Sequence, residues 1–203
     1  MNNPTIRTLA GVPATTTLNA ANTALLVIDF QNEYFDGKMP IPNGMRALQN
    51  AKRLIAFADE HKMPVFHIQH ITPAGSPIFA EDGQTVTFHA DIQPATQHNV
   101  VQKSSVSVFA STDIAVQLKK ANVQTLIIAG LMTHACVAGA ARDAVPAGFD
   151  VIVADDASAT RDLDTPSGDI VPHDVLHRSS LVAVTDTFGD VLTTDEILKL
   201  NIQ

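Results

Sequence analysis

Ile127-Ile128-Ala129-Gly130-Leu131-Met132-Thr133-His134-Ala135-Cys136-Val137-Ala138-Gly139 is the stretch on which the reading of the chain turns. A β-branched apolar run stops at a glycine, and an alanine-rich segment of helical character begins a few residues later. The pattern predicts a strand over 125–129, a turn, and a helix over 135–147, with the only cysteine in the first turn of that helix. A thiol there faces unpaired backbone N–H groups and the positive end of the helix dipole, both of which favour thiolate. Free cysteine is also among the most buried residue types, so position alone leaves a small core hydrophobe as the competing reading.

Outward from this segment, short apolar runs alternate with longer amphipathic ones, the sequence form of repeated βα units around a mostly parallel sheet. Strands are predicted over 24–29, 65–69, 100–103, 125–129, 151–154 and 181–185, and helices over 43–61, 112–121, 135–147 and 172–179. In the first helix Leu48, Ala51, Ile55 and Ala58 recur at helical spacing, and Asn43 offers an N-cap. A three-layer α/β/α sandwich follows. Between 71 and 98 the periodicity fails, broken by Pro73, Gly75, Pro77, Gly83 and Pro94. Loops of this length in compact domains are usually binding loops or lids. This one carries Phe79, Phe88 and His89, which either wall a small pocket or anchor the loop to the body.

The 203 residues suit a single domain over 21–203 preceded by an extended arm over 1–20, loose in a monomer or pinned by a partner subunit. A formal charge of −8, with 13 scattered Lys and Arg, argues against a nucleic-acid or anionic-membrane surface. One cysteine makes no internal disulfide, which fits a reducing cytoplasm. The arm lacks the apolar centre of a signal peptide, and no apolar run approaches the ~18 residues of a membrane span.

Ligands of open α/β sheets bind beyond the carboxyl ends of the strands. Asp29 ends the run Ala24-Leu25-Leu26-Val27-Ile28, Lys103 follows Val100-Val101-Gln102, and Cys136 lies just beyond the 125–129 strand. An acid, a base and a thiol thus terminate three predicted strands and are placed to converge on one rim. Lys103 as ammonium would stabilise a thiolate, letting Cys136 alkylate below the pH of a free thiol. Asp29 would take the thiol proton and return it to a leaving amine. For Asp29 and Lys103 alone, a structural ion pair is the other reading.

The segment Leu25-Leu26-Val27-Ile28-Asp29-Phe30-Gln31-Asn32-Glu33-Tyr34-Phe35 resembles the opening strand and loop of the isochorismatase-like cysteine hydrolases. Lys103-Ser104-Ser105-Val106-Ser107-Val108-Phe109 resembles their lysine motif, and Gly130-Leu131-Met132-Thr133-His134-Ala135-Cys136-Val137 their nucleophile motif. Val153-Ala154-Asp155-Asp156-Ala157-Ser158-Ala159-Thr160 and Phe188-Gly189-Asp190-Val191-Leu192-Thr193-Thr194-Asp195-Glu196 follow in the same order, so the resemblance covers roughly 23–198. It implies an α/β fold with a Rossmann-like, mostly parallel sheet of about six strands and a catalytic triad of Asp29, Lys103 and Cys136. It implies a cis peptide at Leu131–Met132, aiming the backbone N–H groups of Met132 and Cys136 at one point as an oxyanion hole. The reaction implied is metal-independent acyl transfer from an amide, carbamoyl or ureido group through a thioester, without a cofactor, in a dimer or tetramer. Phe30, Gln31, Tyr34, Phe79, Phe88, Phe109, Thr133 and His134 are the residues it points to for enclosing substrate.

The sequence departs from two branches of that family. Nicotinamidases carry an Asp-x-His metal signature, whereas 31–43 here holds Asp36 and no histidine. His67 and His70, three apart on one predicted strand, point to opposite faces and make a poor ligand pair. Members that cleave the isochorismate vinyl ether lack the nucleophilic cysteine, so Cys136 directs the reading to C–N bonds. His134 is read as lining the pocket or capping, not as a Cys–His dyad, and Thr133 as a helix cap or a bond within the turn. His173 and His177, four apart on one helical face, are read as surface or interface packing. A nitrile or cyclic-amide hydrolase, and a non-catalytic metabolite-binding or redox-responsive protein, are the alternatives.

Overall fold

The structure, a computed structural model, describes residues 3–203. Its elements run α1 (Ile6–Leu9), β1 (Thr17–Leu18), β2 (Thr23–Ile28), α2 (Gly44–Glu60), β3 (Val65–His70), β4 (Asn99–Lys103), α3 (Val108–Ser111) and α4 (Ile114–Lys120). They continue with β5 (Thr125–Leu131), α5 (Ala138–Ala144), β6 (Asp150–Ala159), β7 (Leu163–Asp164), β8 (Ile170–Val171), α6 (His173–Thr187), β9 (Asp190–Leu192), α7 (Thr194–Ile197) and β10 (Asn201–Ile202). Every residue of β2 is buried, as expected of a strand covered on both faces. One face packs under α2 and α7, the other under α3, α4, α5 and α6, giving the three layers read from the sequence.

The six-stranded sheet is parallel throughout, in the order β4-β3-β2-β5-β6-β9. From β2 the chain builds outward one way to β3 and β4, then returns to start again at β5 on the other side. The β2/β5 boundary is therefore the switch point where a crevice opens beyond the strand ends. Gly130 makes the close fit there. Its φ is 154°, and a Cβ would stand 2.4 Å from the Ile28 carbonyl oxygen and 2.6 Å from the Ile28 Cβ. Only glycine lets β5 lie against β2 in this conformation.

Several elements differ from expectation. The strand expected over 181–185 lies inside α6; Leu181 and Val184 are buried three apart while Val182 is 61% exposed, a helical period that β-branched composition had masked. The sixth strand is instead β9, three residues at the sheet edge. The helix expected over 135–147 is a π-helical turn, Thr133–Val137, followed by the seven-residue α5. Asn43 makes no side-chain cap bond. The 112–121 helix begins at Ile114, because Thr112 donates its hydroxyl to the Val108 carbonyl at 2.6 Å and ends α3 there.

The arm is not extended throughout and is held within one chain. It includes α1, Arg7 pairs with Asp190 at 2.8 Å, the Thr15 N–H donates to the same carboxylate, and β1 lies parallel to β10. The 71–98 loop is clamped from below. The Gln31 amide donates to the His70 and Val86 carbonyls and accepts from the His70 N–H. The buried Glu33 carboxylate accepts from the Thr85 hydroxyl and the Lys38 N–H. Among the described residues no helix is long and apolar enough to cross a membrane.

His67, fully buried on β3, stands 3.2 Å from His98 Nδ1, and His98 Nε2 is 3.0 Å from Asp59. Burial first, and His98 second, lower the His67 pKa from 6.5 to about 4. The folded state thus binds fewer protons than the unfolded chain below pH 6.5, and the stability tied to neutral His67 is lost as pH falls through about 4. That contribution is on the order of 3 kcal/mol. Urea unfolding of the wild type should weaken steadily from neutral pH toward pH ~4.5, and His67→Phe should flatten that decline; an equal decline in both proteins would place the acid sensitivity elsewhere.

Candidate active site

Asp29, Lys103 and Cys136 come together at the switch point. Asp29 is the first residue beyond β2 and adopts a left-handed φ of 54°, a conformation aspartate tolerates better than most residues. Lys103 is the last residue of β4, two strands away, and its side chain lies across the end of β3. Its ammonium is 2.9 Å from Asp29 Oδ2, 2.8 Å from His70 Nδ1, 3.3 Å from Cys136 Sγ and 3.2 Å from the Ser105 carbonyl. Cys136 sits in the π-helical turn directly after β5, 4% exposed. Both members of the Asp29–Lys103 pair are fully buried.

The electrostatics overturn one expectation. Burial, with the Asp29 charge beside it, pushes the Cys136 thiol well above its ordinary range, and Lys103 opposes this only in part. Burial and the carboxylate thus outweigh any help from helix N–H groups. Burial likewise raises Asp29, against the pull of Lys103. Neither Asp29 oxygen accepts a well-aligned hydrogen bond; Lys103, Cys136 and the His70 backbone still draw its pKa down, and it is burial that keeps the carboxylate basic. Thiol and carboxylate are best regarded as sharing a proton. With that proton on sulfur or on Asp29, one anion remains beside one ammonium, and the sum of charge is unchanged.

His70 is a member of this cluster that sequence reasoning weighed only as a metal ligand. Burial and the Lys103 charge hold its pKa down to about 4, so neutral imidazole accepts from Lys103. The signal for it was register: His70 is paired with Lys103 across β3 and β4. Donor atoms of Asp29, His70 and Cys136 lie within 4.8 Å of one another, a spacing compatible with a metal ion. The Lys103 ammonium already stands among these atoms and supplies the positive charge there, so the set suits a cation poorly.

The expected pocket residues fare unequally. Phe30, Tyr34 and Phe79 are buried in one cluster; Phe79 packs edge-on to Tyr34 at 5.3 Å and against His70 at 5.0 Å, which brings it to the site. Tyr34 feels the charges of Asp29 and Cys136, and burial raises its pKa above the usual range. Gln31 is fully buried as a clamp between β3 and the loop, not as a free pocket group. Phe88 lies edge-on to His67 at 5.7 Å. Phe109 is not brought to the site: it packs on Phe149, which precedes β6, at the opposite end of the sheet. His134 Nδ1 engages the Thr160 hydroxyl at 2.6 Å, leaving no Cys–His dyad through that nitrogen. Thr133 neither caps nor bonds within its turn; its hydroxyl meets His177 at 2.8 Å, so His177 is not mere surface packing.

Arg161 is a further residue the sequence did not single out. Its Nε is buried without a partner, and its charge bears on both the Tyr34 hydroxyl and the His134 ring. No motif flags it; it lies two residues past the end of β6. The Leu131–Met132 peptide is cis, as the resemblance implied.

A parallel three-layer sandwich with thiol, carboxylate and ammonium buried at its switch point places the protein among α/β enzymes built around a cysteine. The isochorismatase domain family matches residues 23–196. An isochorismatase family protein of Bacillus subtilis, YddQ, is 36% identical, covering 87% of this chain and 99% of its own length. The crystal structure of an isochorismatase from Pseudomonas putida superposes with a TM-score of 0.88 at 27% identity, covering 96% of this chain and 98% of that one. The chain belongs to the isochorismatase family. Among relatives with a stated amide activity, the maleamate amidohydrolase of Pseudomonas putida is 26% identical over 87% of this chain and 85% of its own length. Nicotinamidase 3 of Arabidopsis thaliana is 27% identical over 88% of each.

If the thiol proton passes internally to Asp29, alkylation of Cys136 by iodoacetamide should vary little between pH ~6 and ~8.5. In Asp29→Asn the internal acceptor is gone, and the rate should climb with pH as for a thiol that ionises to solvent. Lys103→Met should slow alkylation throughout, since it removes the one charge that lowers the thiol. A wild-type rate rising about tenfold per pH unit would mean the proton leaves to solvent instead.

Proposed function

We propose that the protein hydrolyses the C–N bond of a small amide through a thioester on Cys136. The observation that carries this reading is the Lys103 ammonium held at once against Asp29 and the Cys136 sulfur in the buried space beyond the strand ends. In the first half-reaction Asp29 takes the Sγ proton as sulfur attacks the carbonyl carbon, and the oxyanion is received by the backbone N–H groups of Met132 and Cys136. The C–N bond breaks as Asp29 returns the proton to nitrogen, releasing ammonia or an amine. In the second half Asp29 draws a proton from water, hydroxide adds to the thioester, and collapse expels the thiolate, which recovers its proton from Asp29. Lys103 remains charged throughout and balances whichever of Asp29 and Cys136 is the anion. The maleamate amidohydrolase and nicotinamidase among the relatives support amide hydrolysis in general.

The same reading makes the substrate an amide that also carries a carboxylate. Arg161 offers a buried, unpartnered N–H beside Tyr34 and His134, a donor that a carboxylate would satisfy. Phe30, Tyr34 and Phe79 would supply the apolar wall.

Purified protein should release ammonia from small carboxylate-bearing amides in preference to their neutral analogues. Cys136→Ala should lower kcat by at least about a thousandfold; hydrolysis that survives that substitution would sink the covalent route. Arg161→Met should raise KM for the carboxylate-bearing amide about 10- to 100-fold and leave neutral amides nearly untouched.

A further inference from the structure

Thr133, fully buried in the turn that precedes Cys136, holds its hydroxyl 2.8 Å from His177 Nδ1. The opposite ring nitrogen, Nε2, lies 2.8 Å from Asp155 Oδ1 on β6. The three residues form a hydroxyl–imidazole–carboxylate chain running from the turn to a half-exposed carboxylate, tying β6 and α6 to the segment that carries the nucleophile. The Asp155 pKa is held below the ordinary range, first by the hydrogen bond from His177, so it is the acceptor end of the chain. With a neutral ring, Nε2–H donates to Asp155 and Nδ1 accepts the Thr133 proton.

We propose that His177 is a positioning residue for the hydrolysis, fixing the Thr133 hydroxyl and through it the Met132 and Cys136 N–H groups that receive the oxyanion. This rests on the amide-hydrolase reading above. Thr133 is assigned a positioning part because its hydroxyl is committed to His177. The connection is covalent and short. Thr133 follows Met132 directly and opens the same π-helical turn that contains Cys136, so a hydroxyl released from His177 frees the turn at its first residue. Further side-chain tethers of this turn are His134 to Thr160 and Cys136 to Lys103, also beyond the end of the sheet. The chain also has a polarity. Protonating His177 makes both ring nitrogens donors, so Thr133 must turn from donor to acceptor and its proton must find another oxygen. The charged and titratable groups around His177 are Asp155 from β6, Arg46 from α2, and His173, Asp174 and Arg178 from α6 itself.

The experiment compares His177→Ala, His177→Gln and Thr133→Val. A glutamine side chain can accept from Thr133 and donate to Asp155 without taking a proton, whereas alanine can do neither. His177→Ala and Thr133→Val should lower kcat about 10- to 100-fold with KM within about threefold. His177→Gln should recover most of that loss. Iodoacetamide should alkylate Cys136 at wild-type rates in all three, since alkylation needs the thiol and not the oxyanion site.

Unchanged kcat in His177→Ala, or equal losses in the alanine and glutamine variants, would overturn the proposal. So would a parallel loss of alkylation. Nitrogen-15 spectra of the imidazole give a readout independent of turnover: in the wild type His177 Nδ1 should show the shift of an accepting nitrogen, and Thr133→Val should abolish it. If no amide is hydrolysed by the wild type yet this signature is present, the functional reading has failed and the hydrogen-bond chain has not; if the signature is missing, the chain has failed by itself.

Discussion

The Lys103 ammonium lies in a wall of protein between Asp29, His70 and Cys136, and the arrangement of the sheet is what allows it to stay charged there. Removing an ammonium and a carboxylate from water costs several kcal/mol per ion, and only close partners offset it. Asp29 and His70 follow or end β2 and β3, and Cys136 enters from the turn after β5, so three of the four contacts on one nitrogen depend on these strand ends lying in register with β4. Gly130 secures the last of these by allowing β5 to press against Ile28. A side chain at 130 would push apart the two strands that lead to Asp29 and Cys136.

The ion pair is not a good stability device. Buried pairs replaced by well-packed apolar residues are often neutral or more stable, while removing one partner costs about 3–5 kcal/mol. The contact here is also imperfect, because the Asp29 oxygens lack aligned donors. Imperfection has a chemical use. A carboxylate satisfied by several strong donors would lose its basicity, whereas this one retains enough proton affinity to compete with a thiol that burial has made reluctant to ionise. In the proposed mechanism Lys103 is the fixed charge that lets the proton move between the two at little cost.

What could be read in the sequence follows from where each signal lives. Asp29, Lys103 and Cys136 terminate or follow apolar runs, and in a parallel sheet strand ends share one rim, so local pattern sufficed to bring them together. The sixth strand was misplaced because a β-branched segment at 181–185 looks extended, yet Leu181 and Val184 are buried at a helical interval against the sheet. Phe109 sits in the lysine motif but turns to Phe149 at the far end, which only the packing of α3 decides. His70, Glu33, Arg161 and His177 had no local signature. His70, His177 and Glu33 take their places from partners 33, 44 and 52 residues away in the chain, Lys103, Thr133 and Thr85.

The loop over 71–98 shows how the same constraint extends outward. Gln31, two residues past Asp29, ties the end of β3 to Val86, and Glu33 holds Thr85 and the Phe79 N–H. Phe79 is thereby set against both Tyr34 and His70, so the loop's aromatic residue rests on the imidazole that in turn meets Lys103. Loosening Glu33 would expose that imidazole to water, raise its proton affinity and set a second positive charge beside the ammonium. The loop thereby contributes to the burial that, with the Lys103 charge, keeps His70 neutral.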